Sequence, residues 1–171
     1  MELYPYLLRP DAPAEGTPRP GGGAELQEPL LTYAREAGLE KMRRPPLVAF
    51  SHLALEASEY AREKGLILPF HRAAYQAYWE AGQNIGDLKV LEGLARQAGL
   101  DWEELLPKLE RRSYQSRVTA QYQQALEMGI RGIPAFLIGR YLFTGAQPYP
   151  LFQRVLQQAQ KDQIDAPQPT R

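Results

Sequence analysis

The side chains that could carry chemistry in this chain of 171 residues are few. It contains no cysteine, so disulfide bonds, thiolate metal sites and thiol catalysis by these residues are excluded. With only His52 and His71, no metal site is predicted. His52 could act as a base from a long helix, but a partly buried or surface histidine with a local hydrogen bond is the more common case. His71 lies beside Arg72 and is expected on a solvated helix face.

Aromatic and polar residues of the central region are the other candidates. Four aromatic side chains there could line a substrate cleft, or could pack a helical core: Phe70, Tyr75, Tyr78 and Trp79. Asn84 and Asp87 follow in a loop, where Asp87 can also cap the next helix, and Asp101 can cap the helix from residue 102. The sequence has no catalytic acid pair, glycine-rich phosphate loop or nucleophile elbow, so no catalytic residue is predicted.

The most distinctive stretch of the sequence contains a predicted β-hairpin. Two short apolar runs flank Gly139-Arg140, a pattern typical of a two-residue turn. Gly132-Ile133-Pro134 precedes the first run, where a proline suits the start or edge of a strand. The Ile133–Pro134 bond could be cis, or Pro134 could be a trans proline in an ordinary turn. After Gly145, Pro148 can open a last helix.

The rest of the chain is predicted to be mostly helical. Residues 2–8 favour a strand, and Pro5 indicates an edge or kinked one. Residues after about Lys161 are polar and are expected to fray. The apolar spacing predicts six further helices, over residues 25–37, 47–64, 68–81, 88–98, 102–110 and 113–128.

Composition narrows the class of protein. Hydrophobic residues make up 44% of the chain, enough for a sizeable core. The formal net charge is +0 and no basic stripe stands out, so nucleic acid is not an expected partner. No stretch approaches a membrane span and the first residues do not resemble a signal peptide, so no membrane contact and a cytoplasmic location are predicted.

The hairpin stretch resembles a known family. Gly132-Ile133-Pro134 before an apolar hairpin, then Gly145-Ala146-Gln147-Pro148 before a closing helix, is similar to the C-terminal half of DsbA-family thioredoxin-like proteins. The similarity is greatest to the FrnE-like branch, beside the 2-hydroxychromene-2-carboxylate isomerases. The turn Arg9-Pro10-Asp11 also matches, and the resemblance covers nearly the whole chain.

The resemblance implies an α/β fold with a thioredoxin-like sheet and a large inserted helical subdomain. Residues 1–44 and 129–160 would form the α/β part, 45–128 the helical subdomain, and 161–171 a flexible tail. It implies a cis Pro134 facing a redox or glutathione site, with Gly132 beside it and the Ile133 backbone binding an extended thiol substrate. The helical subdomain would cover this cleft, which makes four residues candidates for its lining: His52, Trp79, Asn84 and Asp87.

The family also has a first strand, a Cys-x-x-Cys or serine loop and a long helix ahead of the matching region. The resemblance therefore implies that the first strand is absent from this chain, leaving residues 135–138 as an unpaired edge. Three outcomes are expected: a longer natural protein, a second copy filling the gap, or residues 2–8 occupying the central slot.

Three functions remain open. One is a DsbA/FrnE-like thiol–disulfide oxidoreductase, redox-inactive as written because the chain has no thiolate. The second is a glutathione-dependent isomerase, for which glutathione would be the cofactor. The third is a non-catalytic module or homodimeric scaffold that binds an extended peptide or small thiol through main-chain hydrogen bonds.

Overall fold

A computed structural model of the chain describes residues 2–165. The chain divides into two compact units, Met1–Tyr122 and Gln123–Arg171, which are described separately. The predicted division into 1–44 with 129–160 and 45–128 stays a prediction. Within the described range, none of the helices is both long and apolar enough to cross a lipid bilayer.

Helices dominate the described part of the chain up to residue 127. They are α1 Leu30–Glu36, α2 His52–Glu63, α3 Ile67–Trp79, α4 Leu88–Gln97, α5 Trp102–Glu110 and α6 Gln115–Glu127. Helix α2 ends where Gly65 adopts a φ of +71°, the left-handed conformation that glycine tolerates just past a helix end. Helix α5 begins at a cap from Asp101, whose Oδ1 accepts the Glu104 N–H at 3.0 Å, as predicted.

The core of the first unit lies among α2, α3, α4 and α5. Its largest fully buried apolar side chains come from all four helices: Tyr60, Phe70, Leu91, Leu105 and Leu109. Phe70 therefore packs in the helical core, one of the two roles considered for it, whereas Tyr75 is 60% exposed.

The predicted strand over residues 2–8 is wrong, because this segment forms no strand. Side chains of α2 instead bind one carbonyl group of this segment and one of the turn that follows it. Arg62 donates to the Leu3 carbonyl, and His52 Nε2 lies 2.9 Å from the Pro10 carbonyl. Leu7 is buried, whereas Tyr4 and Leu8 are exposed. Residues 2–8 do not fill the central slot of a sheet.

Two predicted helices begin later than expected. The helix predicted from residue 25 begins at Leu30, directly after Pro29, because the residue before a proline disfavours helical geometry. The helix predicted from residue 47 begins at His52. Leu47–Val48 instead forms β2, which pairs antiparallel with β1, Thr17–Pro18.

The second unit contains the predicted hairpin and closing helix. Strand β3, Ala135–Ile138, pairs antiparallel with β4, Tyr141–Thr144. Helix α7 covers Tyr149–Asp165, so residues 161–165 are helical rather than a flexible tail, and 166–171 lie outside the described residues. Phe136, Phe143 and Phe152 form the contact between hairpin and helix, with ring centroids 4.8–5.4 Å apart.

Candidate functional site

Strand β3 has one bonded edge and one open edge within residues 2–165. The two-residue turn makes Ile138 and Tyr141 a hydrogen-bonded pair, and such pairs alternate along an antiparallel ladder. The bond from the Gly145 N–H to the Pro134 carbonyl, 2.8 Å, continues this alternation beyond β3. The peptide groups of Phe136 and Ile138 therefore face β4, while those of Ala135 and Leu137 face the open edge.

The residues directly before β3 include backbone groups that form no hydrogen bond. Neither the N–H nor the C=O of Ile133 forms a hydrogen bond within the described residues, and its side chain is 48% exposed. A methyl group placed on Gly132 would meet no atom within 4 Å. The Ile133–Pro134 peptide bond is cis. The backbone groups of Gly132 and Ile133 are thus free donors and acceptors, whereas the Pro134 carbonyl is already bonded to Gly145.

The two faces of the hairpin differ in burial. Phe136 packs against Phe152 of α7 on one face. On the other face, Leu137 and its cross-strand partner Leu142 are 52% and 39% exposed. This second face is apolar and open, and it adjoins the open edge of β3.

Helix α7 holds the hairpin at its turn as well as at its aromatic face. The Tyr141 hydroxyl donates to Asp162 Oδ2 at 2.7 Å, and Arg140 Nε lies 3.2 Å from the same oxygen. Hydrogen bonds from Gln158 and Tyr141 lower the pKa of Asp162. At neutral pH the ionised carboxylate therefore anchors the turn that sets the register of β3.

The predicted cleft residues have local roles in the first unit. His52 stacks on Phe50, with ring centroids 4.4 Å apart, and bonds the Pro10 carbonyl. Trp79 makes an edge contact with Tyr78 and its carbonyl accepts the Arg43 N–H. Both are half-buried. These contacts explain the two side chains structurally, and their membership of a substrate cleft stays a prediction.

The two loop residues of the predicted cleft are also bonded locally. Asn84 Oδ1 accepts the Gly86 N–H at 3.0 Å and so closes a tight turn. Asp87 caps α4, because its Oδ1 accepts the Lys89 N–H at 2.7 Å. The cap predicted at Asp87 is confirmed.

A family model for the DSBA-like thioredoxin domain matches residues 1–157. The chain belongs to the DSBA-like thioredoxin domain family. The resemblance drawn from the hairpin stretch is therefore confirmed at the level of the family, and so is the DsbA-like thioredoxin fold. The finer resemblance to the FrnE-like branch stays a prediction.

Two proteins are similar to this chain in sequence or structure. The uncharacterized protein YwbO of Bacillus subtilis (strain 168) is 28% identical over 172 residues, which cover 94% of this chain and 82% of that protein. The crystal structure of the probable DsbA oxidoreductase SCO1869 from Streptomyces coelicolor has a TM-score of 0.72 and 27% identity. That match covers 82% of this chain and 60% of the solved chain.

A surface groove of about 390 Å³ lies between α3 and α4 of this DsbA-like chain. None of the four predicted cleft residues lines it. Its walls combine alanine and glutamine side chains with an acid: Ala73, Gln76, Ala77, Glu80, Ala81, Gln83, Leu94 and Gln97. Among residues 2–165, no three histidine, aspartate or glutamate side chains are grouped closely enough to hold a metal ion.

Two buried glutamates of α2 were missed by the sequence analysis. Glu56 and Glu59 are 1% and 0% exposed, and one oxygen of each has no hydrogen-bond partner within the described residues. Arg112 Nε pairs with Glu56 at 2.5 Å, and Arg62 with Glu59 at 3.2 Å. Buried charges need such partners. Arg112 lies 56 residues from Glu56, so helical spacing gave no signal for that pair. Arg62, in contrast, follows Glu59 by three residues on the same helix.

His71 is half-buried rather than fully solvated as predicted. Its Nε2 lies 3.1 Å from Ser58 Oγ, which donates to the Ala54 carbonyl. Burial lowers the pKa of His71, and the nearby Arg62 lowers it further. His71 is therefore neutral at pH 7 and serves the packing of α3 on α2.

Proposed function

We propose that this chain serves thiol–disulfide exchange as a DsbA-like protein by holding an extended, cysteine-bearing segment against the backbone of Ile133. The observation that carries the proposal is the unbonded, solvent-facing peptide unit of Ile133 beside Pro134. An extended segment can donate its cysteine N–H to the Ile133 carbonyl and accept the Ile133 N–H. Main-chain pairing of this kind binds a segment with little regard to its side chains.

The exchange itself needs a thiolate from outside these 171 residues, because none is a cysteine. That thiolate would attack one sulfur of the disulfide, form a mixed disulfide and release the other sulfur as a thiolate. The role of this chain would be to fix the position of the attacked sulfur. Reaction rates fall steeply when the reacting atoms are misplaced, so fixing the segment would raise the rate of exchange.

The alternatives remain predictions. No contact within the described residues singles out glutathione, so the isomerase reaction has no observation in its favour. The FrnE-like branch and a cytoplasmic location are likewise untested predictions.

The experiment is a titration of the ¹⁵N-labelled chain with the capped peptide acetyl-Thr-Cys-Val-amide, followed by amide chemical shifts. The Ile133 amide should shift with a millimolar dissociation constant. The same peptide with a methyl group on the cysteine nitrogen cannot donate to the Ile133 carbonyl. It should bind about tenfold more weakly, the effect of losing roughly 1.4 kcal/mol.

Two variants provide matched controls. Ile133→Ala keeps the peptide unit and should still distinguish the two peptides, whereas Ile133→Pro removes the N–H and should bind neither well. The remaining amide spectrum shows whether each variant is folded. Equal binding of the two peptides, or binding without a shift at Ile133, would overturn the proposal.

A further inference from the structure

We infer that Arg131 makes the proposed binding site at Ile133 selective for segments with an acidic residue roughly two positions after the cysteine. The inference rests on the proposed function, because it needs a segment already paired with Ile133. It adds a side-chain preference to a site that otherwise recognises only backbone. The ligand class is therefore an extended, cysteine-bearing segment with a carboxylate on the C-terminal side of its cysteine.

The direction of the segment follows from the two hydrogen bonds proposed at Ile133. Two residues that exchange both N–H···O=C bonds form a bonded pair of an antiparallel ladder. Residues after the cysteine therefore run toward Arg131, and residues before it run along β3. Gly132, the residue between Ile133 and Arg131, has no side chain, and the space beside its Cα is open. The path from the segment to the arginine is thus unobstructed at that position.

The Arg131 side chain is exposed and already held in place. Its Nη1 donates to the Leu126 carbonyl at 2.8 Å, at the C-terminal end of α6. A guanidinium carries its N–H donors in a rigid fork, so one such bond leaves others for a carboxylate. Because the bond to Leu126 has already restricted the side chain, an ion pair with the segment would lose little further side-chain entropy.

The charge of Arg131 is not neutralised by an acid of its own chain within residues 2–165. Its only printed bond there goes to an uncharged carbonyl, whereas Arg140 of the same unit is paired with Asp162. The chain bends over residues 132–134, so the long arginine side chain would make the contact rather than a further backbone pair. An exposed ion pair of this kind changes a dissociation constant by about fivefold at most.

The test compares two isomeric peptides on the ¹⁵N-labelled chain, each followed at the Ile133 amide. Acetyl-Gln-Thr-Cys-Val-Glu-amide carries its acid after the cysteine, and acetyl-Glu-Thr-Cys-Val-Gln-amide carries it before. The two have the same composition and charge, so only the position of the carboxylate differs. The first should bind about threefold more tightly in dilute buffer. Salt at about 1 M should remove the difference, because the screening length is then about 3 Å.

Three variants separate the charge of Arg131 from its structural role at the end of α6. Arg131→Gln removes the charge but keeps a donor for the Leu126 carbonyl, and it should bind both peptides equally. Arg131→Lys keeps the charge and should retain the preference. Arg154→Gln removes an exposed arginine of α7 in the same unit and is the matched control, which should behave as the parent chain. The remaining amide spectrum shows whether each variant is folded.

Equal binding of the two isomers to the parent chain would overturn the inference. So would a preference for the acid before the cysteine, or a preference that survives in Arg131→Gln. The proposed function is judged separately with acetyl-Thr-Cys-Val-amide, which carries no acid. If that peptide shifts the Ile133 amide while the isomers bind equally, only the inference fails. If no peptide shifts the Ile133 amide, both fail.

Discussion

Replacing Arg112 by alanine should lower the free energy of unfolding of the first unit by about 3 kcal/mol, because it leaves a buried carboxylate without a cation. Glu56 is 1% exposed, and Arg112 bonds one of its oxygens while the other has no partner within the described residues. The expected loss of free energy is at the low end of the range for breaking a buried ion pair, because the Arg112 side chain is 31% exposed.

Urea denaturation followed by tryptophan fluorescence measures this loss, because Trp79 and Trp102 both lie in the first unit. The adjacent Arg111→Ala is the matched control and should stay within about 0.5 kcal/mol of the parent. Adding Glu56→Gln to Arg112→Ala should restore part of the loss by removing the stranded charge. An Arg112→Ala variant as stable as the Arg111→Ala control would show that the pair does not stabilise the unit.

Phe70→Ala should lower the same free energy by about 4 kcal/mol, through lost burial and the cavity left behind. The Phe70 side chain is 0% exposed at the centre of the helical core, so no solvent replaces its contacts. Leu68 on the same helix is 60% exposed and provides the control.

The same urea titration, or thermal unfolding by circular dichroism, measures the Phe70 effect. Leu68→Ala should change the free energy of unfolding by no more than about 0.5 kcal/mol. A Phe70→Ala loss below about 1 kcal/mol would mean that the core around α3 collapses to fill the space or is not packed as described.

Features governed by short-range chemistry could be predicted from the sequence. Gly139-Arg140 between two apolar runs indicated the hairpin, and Asp87 and Asp101 indicated the starts of α4 and α5. Each of these signals acts within a few residues of the chain. The Gly132-Ile133-Pro134 stretch could likewise be located, although its importance came from resemblance rather than from spacing.

Features that depend on distant partners could not be predicted. Residues 2–8 have strand-forming side chains, but a strand exists only with a bonded neighbour, and Arg62 of α2 binds the Leu3 carbonyl instead. Glutamate is normally exposed on helices, and the burial of Glu56 is tolerated because Arg112, 56 residues further on, pairs with it. Helix α2 begins at His52 rather than at the predicted residue 47, because Leu47–Val48 pairs with β1.

The most direct test of the central claim is amide hydrogen exchange along β3, read by NMR in a dilute, monomeric sample. The open-edge geometry predicts slow exchange at Phe136 and Ile138, whose N–H groups bond to β4. It predicts fast exchange, near that of an unstructured chain, at Ile133, Ala135 and Leu137. Protection of Ala135 and Leu137 equal to that of Phe136 in the monomer would contradict the account, because the edge would then already be occupied.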